Sequence, residues 1–161
     1  MNETSPPVIL VVDDEEMILT SIKAFFAIET DYTFLTFTSP KKALDELENK
    51  IKSIDLVISD YLMPEMDGIT FLSHVKRLFP IVPRVLLTGY ADKESAIQAI
   101  NKVGLYQYVE KPWNNDDLRL IIHNALEKAT LVRQLQQKIS EVEKVQKELS
   151  DVQKDILRVF V

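Results

Sequence analysis

The sequence predicts an α/β protein: a doubly wound, five-stranded parallel sheet whose last helix extends into a coiled coil. Three observations carry that expectation. Short apolar runs alternate with helically spaced apolar residues five times, as in βα units joined by right-handed crossovers. Polar groups stand where the apolar runs end, at Asp13-Asp14, Asp60 and Thr88. After Pro112 there is no Gly or Pro, and an apolar heptad runs almost to the end of the chain.

The elements follow in order. Val8–Val12 is a continuous apolar run closed by Asp13-Asp14, the pattern of a buried parallel strand. Between Glu15 and about residue 28, Ile18, Ile22, Phe25 and Phe26 recur at helical spacing. Thr33–Thr38 is β-branched and aromatic, hence strand. Ser39-Pro40 opens a helix as cap and first position, with Ala43, Leu44 and Leu47 inward. Leu56–Ser59 is the third strand, ended by Asp60. The loop Tyr61–Gly68 leads to a helix with Ile69, Leu72, Val75 and Phe79 inward. Val82–Thr88 is the fourth strand, and a helix from about Asp92 to Lys102 has Ala96, Ile97 and Ile100 on one face. Leu105–Val109 is the fifth strand, followed by Lys111-Pro112-Trp113. The last helix starts near Asn114 or Asn115, and Asp116 and Asp117 suit its first turn.

Composition narrows the function. The chain has 161 residues, 46% hydrophobic and 27% charged, which suits one α/β domain with an appendage or one slightly large domain. It has no cysteine, which excludes disulfides and thiolate metal sites. The N-terminus has no basic region and only a five-residue apolar run, and no stretch approaches the roughly 20 residues of a membrane span. A cytoplasmic address with no membrane contact is expected. Net charge is −6, with −7 on residues 1–124 and +1 on residues 125–161. Neither part has a basic face suited to nucleic-acid phosphates, so no direct nucleic-acid binding is expected.

If the sheet order is 2-1-3-4-5, the strand ends bring Asp13, Asp14, Asp60, Thr88 and Lys111 to one crevice. Sites in open α/β sheets form beyond these carboxyl ends. Three carboxylates together repel, so they call for cations. Lys111 supplies one charge, and a hard divalent ion supplies two. Mg²⁺ takes oxygen ligands and keeps several waters, which suits this set, and Mn²⁺ is an alternative. Such a site can neutralise a phosphoryl group in transit while Asp60 attacks phosphorus. Each residue alone has a blander role, as helix cap, turn former or solvated lysine. Their joint occurrence at the ends of four correctly ordered strands is what those roles leave unexplained.

The stretches VVDDEEMI (11–18), DLVISDYLMPEMDG (55–68), VLLTGYAD (85–92) and YVEKPW (108–113) resemble the receiver domains of bacterial response regulators. The resemblance covers about residues 8–126 and implies the flavodoxin-like order 2-1-3-4-5. It implies that Asp60 accepts a phosphoryl group from a sensor histidine kinase or phosphotransfer protein. Asp14 and Asp60 would hold Mg²⁺ directly, Asp13 through water, and the Leu62 backbone carbonyl would be a further ligand. Lys111 would contact the phosphoryl oxygens, with Lys111–Pro112 cis. Thr88 and Tyr108 would form the switch pair, acting on the face of helix four, strand five and helix five. Pro64 and Gly68 would shape the loop, and Gly89 would leave room for the phosphoryl oxygens. Leu62 and Tyr90 are bulky and neither acidic nor amide, so a slowly decaying phosphoryl group is expected.

The expected organisation is a receiver over 1–126 and a signalling helix over 127–161. In the helix, Leu135, Val142, Leu149 and Ile156 occupy one seam position. Leu131, Lys138, Val145, Val152 and Val159 occupy the other. A helix from about 115 to 160 would be roughly 70 Å long at ~1.5 Å per residue, so its outer part needs a partner. A parallel homodimer through residues 130–160 is expected; a helix docked on some other partner is the alternative. Nothing globular follows residue 126, so the chain reads as a phosphoacceptor rather than an enzyme: either a regulator whose readout is its dimer, or a fragment cut within a signalling helix. The Lys-Pro-Trp ending before a long helix resembles regulators joined to a cyclic-di-GMP enzyme, a phosphatase or a sensor-like domain, and that resemblance alone favours the fragment. Two rival functions are a phosphorylation-independent dimerising adaptor and an aspartyl-nucleophile phosphohydrolase. The second needs an Asp-x-Asp pair, which neither Asp13-Asp14-Glu15 nor Asp60-Tyr61-Leu62 supplies.

Overall fold

Continuous burial along the central strands decides the architecture. The structure is a computed structural model that describes residues 5–160, with the backbone alone at Tyr90. Its elements are β1 (Val8–Val12), α1 (Glu16–Glu29), β2 (Thr33–Phe37), α2 (Pro40–Asn49), β3 (Leu56–Asp60), α3 (Gly68–Leu78), β4 (Arg84–Thr88), α4 (Lys93–Ala99), β5 (Gln107–Glu110) and α5 (Asn115–Phe160). All strand pairs are parallel, in the predicted order 2-1-3-4-5. Successive side chains of a strand point to opposite faces. Leu10, Val12, Val57 and Leu86 therefore meet α2, α3 and α4 through Ala43, Leu47, Phe71, Leu72, Val75 and Ala96. Ile9, Val11, Leu56, Ile58, Val85 and Leu87 meet α1 and the start of α5 through Leu19, Ile22, Phe26, Leu118 and Ile122. Helices thus cover both faces, which is why β3 and β4 are buried along their whole length and β1 along all but its first residue.

The helix starts obey local chemistry. Ser39 Oγ accepts from Lys42 N at 3.3 Å with Pro40 as the first helical residue, as the sequence predicts. Asp67 Oδ1 accepts from Thr70 N at 2.7 Å, so the Asp67-Gly68 pair is a helix start as well as a turn. Asn114 Oδ1 accepts from Asp116 N and Asp117 N at 2.9 and 3.2 Å.

Some boundaries differ from the expectation. β4 begins at Arg84, because Pro83 cannot donate to the ladder. β5 runs Gln107–Glu110 rather than Leu105–Val109. α4 ends at Ala99 in a π turn, Ile100–Gly104, and the residues it buries are Ala96, Ala99 and Val103, while Ile97 is exposed. In α3 the fully buried aromatic is Phe71, with Ile69 and Phe79 half-buried.

Arg84 is buried, and no carboxylate among the described residues pairs with it. Its Nη1 donates to Val82 O at 3.0 Å and Pro80 O at 3.3 Å, and Nη2 donates to Gly104 O at 3.0 Å. Burial holds its pKa below the ordinary arginine value. The guanidinium ties the α3–β4 turn to the end of the π turn, where Gly104 has φ +67°. Charge-assisted hydrogen bonds outweigh this desolvation, so Arg84→Met should lower stability by roughly 2 kcal/mol. A urea midpoint unchanged from the parent would show instead that the two effects cancel.

The chain divides into two compact units, Met1–Ala129 and Thr130–Val161. In the second, residues 130–160 are α-helix and none of the described residues is buried. No helix among the described residues is long and apolar enough to cross a membrane.

Candidate functional site

The carboxyl ends of β1, β3, β4 and β5 assemble one polar crevice. β1 hands over to Asp13, whose side chain is fully buried and divides its two oxygens. Oδ1 accepts from Glu15 N at 2.9 Å, shaping the start of α1, and Oδ2 accepts from Lys111 Nζ at 2.9 Å. Asp60 ends β3, and its Oδ1 accepts from Tyr61 N at 3.0 Å and lies 3.0 Å from Lys111 Nζ. Lys111 thus bridges two carboxylates that arrive from different strands. Asp14 is exposed at the mouth, and carboxylate oxygens of Asp13, Asp14 and Asp60 all lie within 4.8 Å of one another.

The electrostatics follow from that geometry. Burial is the main reason the Asp60 carboxyl is raised from 3.8 to about 6. The Lys111 bond pulls it down, and the charge of Asp13 pushes it up again. Burial pulls Lys111 down, but its bonds to Asp13 and Asp60 outweigh that and leave it above the ordinary lysine value. The pair is thus lopsided: the ammonium is secure while the carboxylate is strained. One lysine does not neutralise three carboxylates, and the missing positive charge is what the donor set lacks.

Thr88 ends β4, beside Asp60, since Asp60 pairs with Leu87. It is fully buried, and its Oγ1 finds no hydrogen-bond partner among the described residues. Such a group normally costs free energy unless a partner arrives. Tyr108 pairs with Leu86, two residues before Thr88, so the register puts it on the same face of the sheet. Its ring is half-buried against the core beneath α3 and α4. Leu62 lies two residues beyond Asp60 and is 61% exposed. The side chain of Tyr90 lies outside the described residues. Lys111–Pro112 is cis, as expected.

The predicted site residues Asp13, Asp14, Asp60 and Lys111 therefore come together, with Thr88 adjoining. The sequence did not reveal that Lys111 also walls a cavity of about 370 Å³ with Ile18, Ser21, Pro112, Trp113 and Asn115. The signal available was the i, i+3 pair Ile18 and Ser21 on the helix that follows Asp14.

The sequence matches the response regulator receiver domain family over residues 9–123. The chain belongs to that family. Receivers are modules of two-component signalling, and as a class they are regulatory rather than catalytic. Among curated relatives, this receiver is 31% identical over 119 residues to the hydrogenase transcriptional regulatory protein HoxA of Cupriavidus necator, covering 74% of this chain and 24% of that protein. Among solved structures, it is 35% identical to a response regulator receiver domain protein of Clostridium thermocellum (TM-score 0.73), covering 78% of this chain and 98% of the other. It is 34% identical to the signal receiver domain of an HD domain-containing protein of Pseudomonas fluorescens (TM-score 0.75), covering 83% and 96%. The chain spans about a quarter of the length of the curated relatives it matches.

Proposed function

We propose that this receiver takes a phosphoryl group on Asp60 from the phosphohistidine of a histidine kinase or phosphotransfer protein, and that the signal leaves through α4, β5 and α5. The observation that carries this is the bridged carboxylate pair: Lys111 between Asp13 and Asp60, with an orphaned Thr88 hydroxyl alongside. In the transfer an Asp60 oxygen forms the new P–O bond. The P–N bond to the donor histidine breaks, and the leaving nitrogen keeps its electron pair. Lys111 neutralises a phosphoryl oxygen, and the Tyr61 N–H holds the Asp60 carboxylate in place.

The three carboxylates are hard oxygen donors with a charge deficit, and they fit Mg²⁺, with Mn²⁺ as a substitute. Asp14 and Asp60 would hold the ion directly, Asp13 through water, and the Leu62 carbonyl would complete the protein's share. When bound, the ion supplies neutralisation of the phosphoryl oxygens that one lysine cannot. The cavity walled by Ile18, Pro112 and Trp113 gives the phosphodonor an apolar surface next to Lys111.

The switch follows from the unpaired hydroxyl. A phosphoryl group on Asp60 adds about −1.5 to −2 charge and strong acceptors. Thr88 Oγ1 donates to it, the loop after β4 moves with Thr88, and the Tyr108 ring turns inward behind it. That biases the surface of α4, β5 and α5. Residues 130–160 pair with a second copy of the chain, which covers their exposed apolar stripe.

Intact mass after incubation with Mg²⁺ and acetyl phosphate tests the core of this reading. One added phosphoryl group is expected for the parent and none for Asp60→Ala. A mass that stays unchanged in the parent, or a gain that survives in Asp60→Ala, would sink it.

A further inference from the structure

We infer that the second copy pairs along a seam that shifts its heptad phase between Val142 and Val145, so that Ile139 rather than Lys138 lies in the interface. The inference rests on the dimer reading above and adds its orientation and register.

An unbroken heptad through Leu135, Val142, Leu149 and Ile156 places Lys138 in the seam and leaves Ile139 on the flank. The side chains argue the reverse. Lys138 is 78% exposed and already reaches Glu141 at 3.5 Å on its own helix. Ile139 is apolar and 49% exposed, with nothing in the Thr130–Val161 unit covering it. A second seam runs through Val132, Leu135, Ile139 and Val142, spaced 3, 4 and 3. Both of its a positions, Val132 and Ile139, are β-branched and the first d position is Leu135, as in parallel two-stranded coiled coils, while the second d position is the β-branched Val142. Distally the seam is Val145, Leu149, Val152, Ile156 and Val159, all half-exposed or more. Between Val142 and Val145 the spacing is 3 where 4 is due. This is a stammer, which a coiled coil accommodates by local overwinding.

Charge selects the same arrangement. In the proximal phase Lys138 is a g residue, and the flanking e position of the second copy that faces it is Glu143. In the distal phase the g residues are Glu148 and Asp155, while Gln146 and Gln153 are e residues. A parallel pair sets Glu148 beside Gln153 of the second copy. An antiparallel pairing of the distal segments would set acidic column against acidic column, which repels.

The chain has no cysteine, so single cysteines in the full protein report the seam directly. Leu149→Cys lies in the seam in either register. Lys138→Cys and Ile139→Cys separate the two. Under mild oxidation, Leu149→Cys and Ile139→Cys should give disulfide dimers at least about tenfold faster than Lys138→Cys, because only facing seam positions bring Cα atoms within disulfide range. Faster crosslinking at Lys138→Cys than at Ile139→Cys would overturn the phase shift and leave the dimer standing. A monomer by light scattering, with no crosslink at Leu149→Cys, would overturn the dimer itself and leave the stripe to another partner.

Discussion

Replacing Gly68 with alanine should slow phosphorylation of Asp60 about 100-fold, the scale of loss that follows a displacement of roughly 1 Å at a reacting group. The reason is space. A Cβ on Gly68 would sit 2.0 Å from the carbonyl oxygen of Asp60, 2.9 Å from its carbonyl carbon and 2.9 Å from Leu86 Cδ1. Two of these atoms are backbone, so no rotamer relieves the clash. Gly68 N also donates to Tyr61 O at 2.7 Å, which pins the start of α3 against the end of β3. Either α3 lifts away or the Asp60 backbone moves, and both carry the carboxylate off Lys111. Overpacking of this kind costs about 3 kcal/mol. Gly89→Ala is the control for stability alone, since a Cβ there meets only Asp92 Oδ2, at 3.6 Å. Urea unfolding compares the two variants, and the rate of phosphorylation by acetyl phosphate compares Gly68→Ala with the parent. A parent-like rate in Gly68→Ala would mean that close packing at Gly68 does not position Asp60.

The sheet and the crevice were legible because they rest on signals that survive in one dimension. Continuous apolar runs mark strands buried on both faces, and polar residues stop each run where the chain leaves the sheet. Once the order 2-1-3-4-5 is granted, the convergence of Asp13, Asp60, Thr88 and Lys111 is geometry. What the sequence could not show is how a position departs from its residue type. Arg84 reads as surface, yet three backbone carbonyls draw it inside. Ile97 reads as core, yet α4 packs through the smaller Ala96 and Ala99 and then widens into a π turn that brings Val103 inward. Asp13 and Lys111 were both singled out, but their direct ion pair was not, because ninety-eight residues separate them. Gly68 was marked only as shaping a loop; its contact with Asp60 belongs to the packing of α3 on β3.

In the absence of divalent ions, Asp60→Asn should stabilise the fold at pH 8 by about 3 kcal/mol and leave it nearly unchanged at pH 4. The folded carboxyl titrates at about 6, above its ordinary 3.8, so between those values the folded state holds more protons than the unfolded one. The stability Asp60 contributes is therefore present below about pH 4 and lost as pH rises through 6. Asparagine has no such titration, and its carbonyl can still accept from Lys111. Lys111→Met should do the opposite. It strips the ammonium from buried Asp13 and from Asp60, and at pH 8 should cost about 3 kcal/mol, or roughly 10 °C in Tm. At pH 5 the loss should shrink, because Asp60, which titrates at about 6 in the parent, is already mostly protonated and only Asp13 loses a charged partner. Thermal melts of the two variants, the double variant and the parent at both pH values, in chelator, read the coupling as a cycle. Added Mg²⁺ should restore most of the Lys111→Met loss at pH 8, because both cations answer the same charge deficit. If the loss were equal at pH 5 and pH 8 and indifferent to Mg²⁺, Lys111 would be acting through its packed stem. The strained carboxylate would then not be what prepares Asp60 to receive a phosphoryl group.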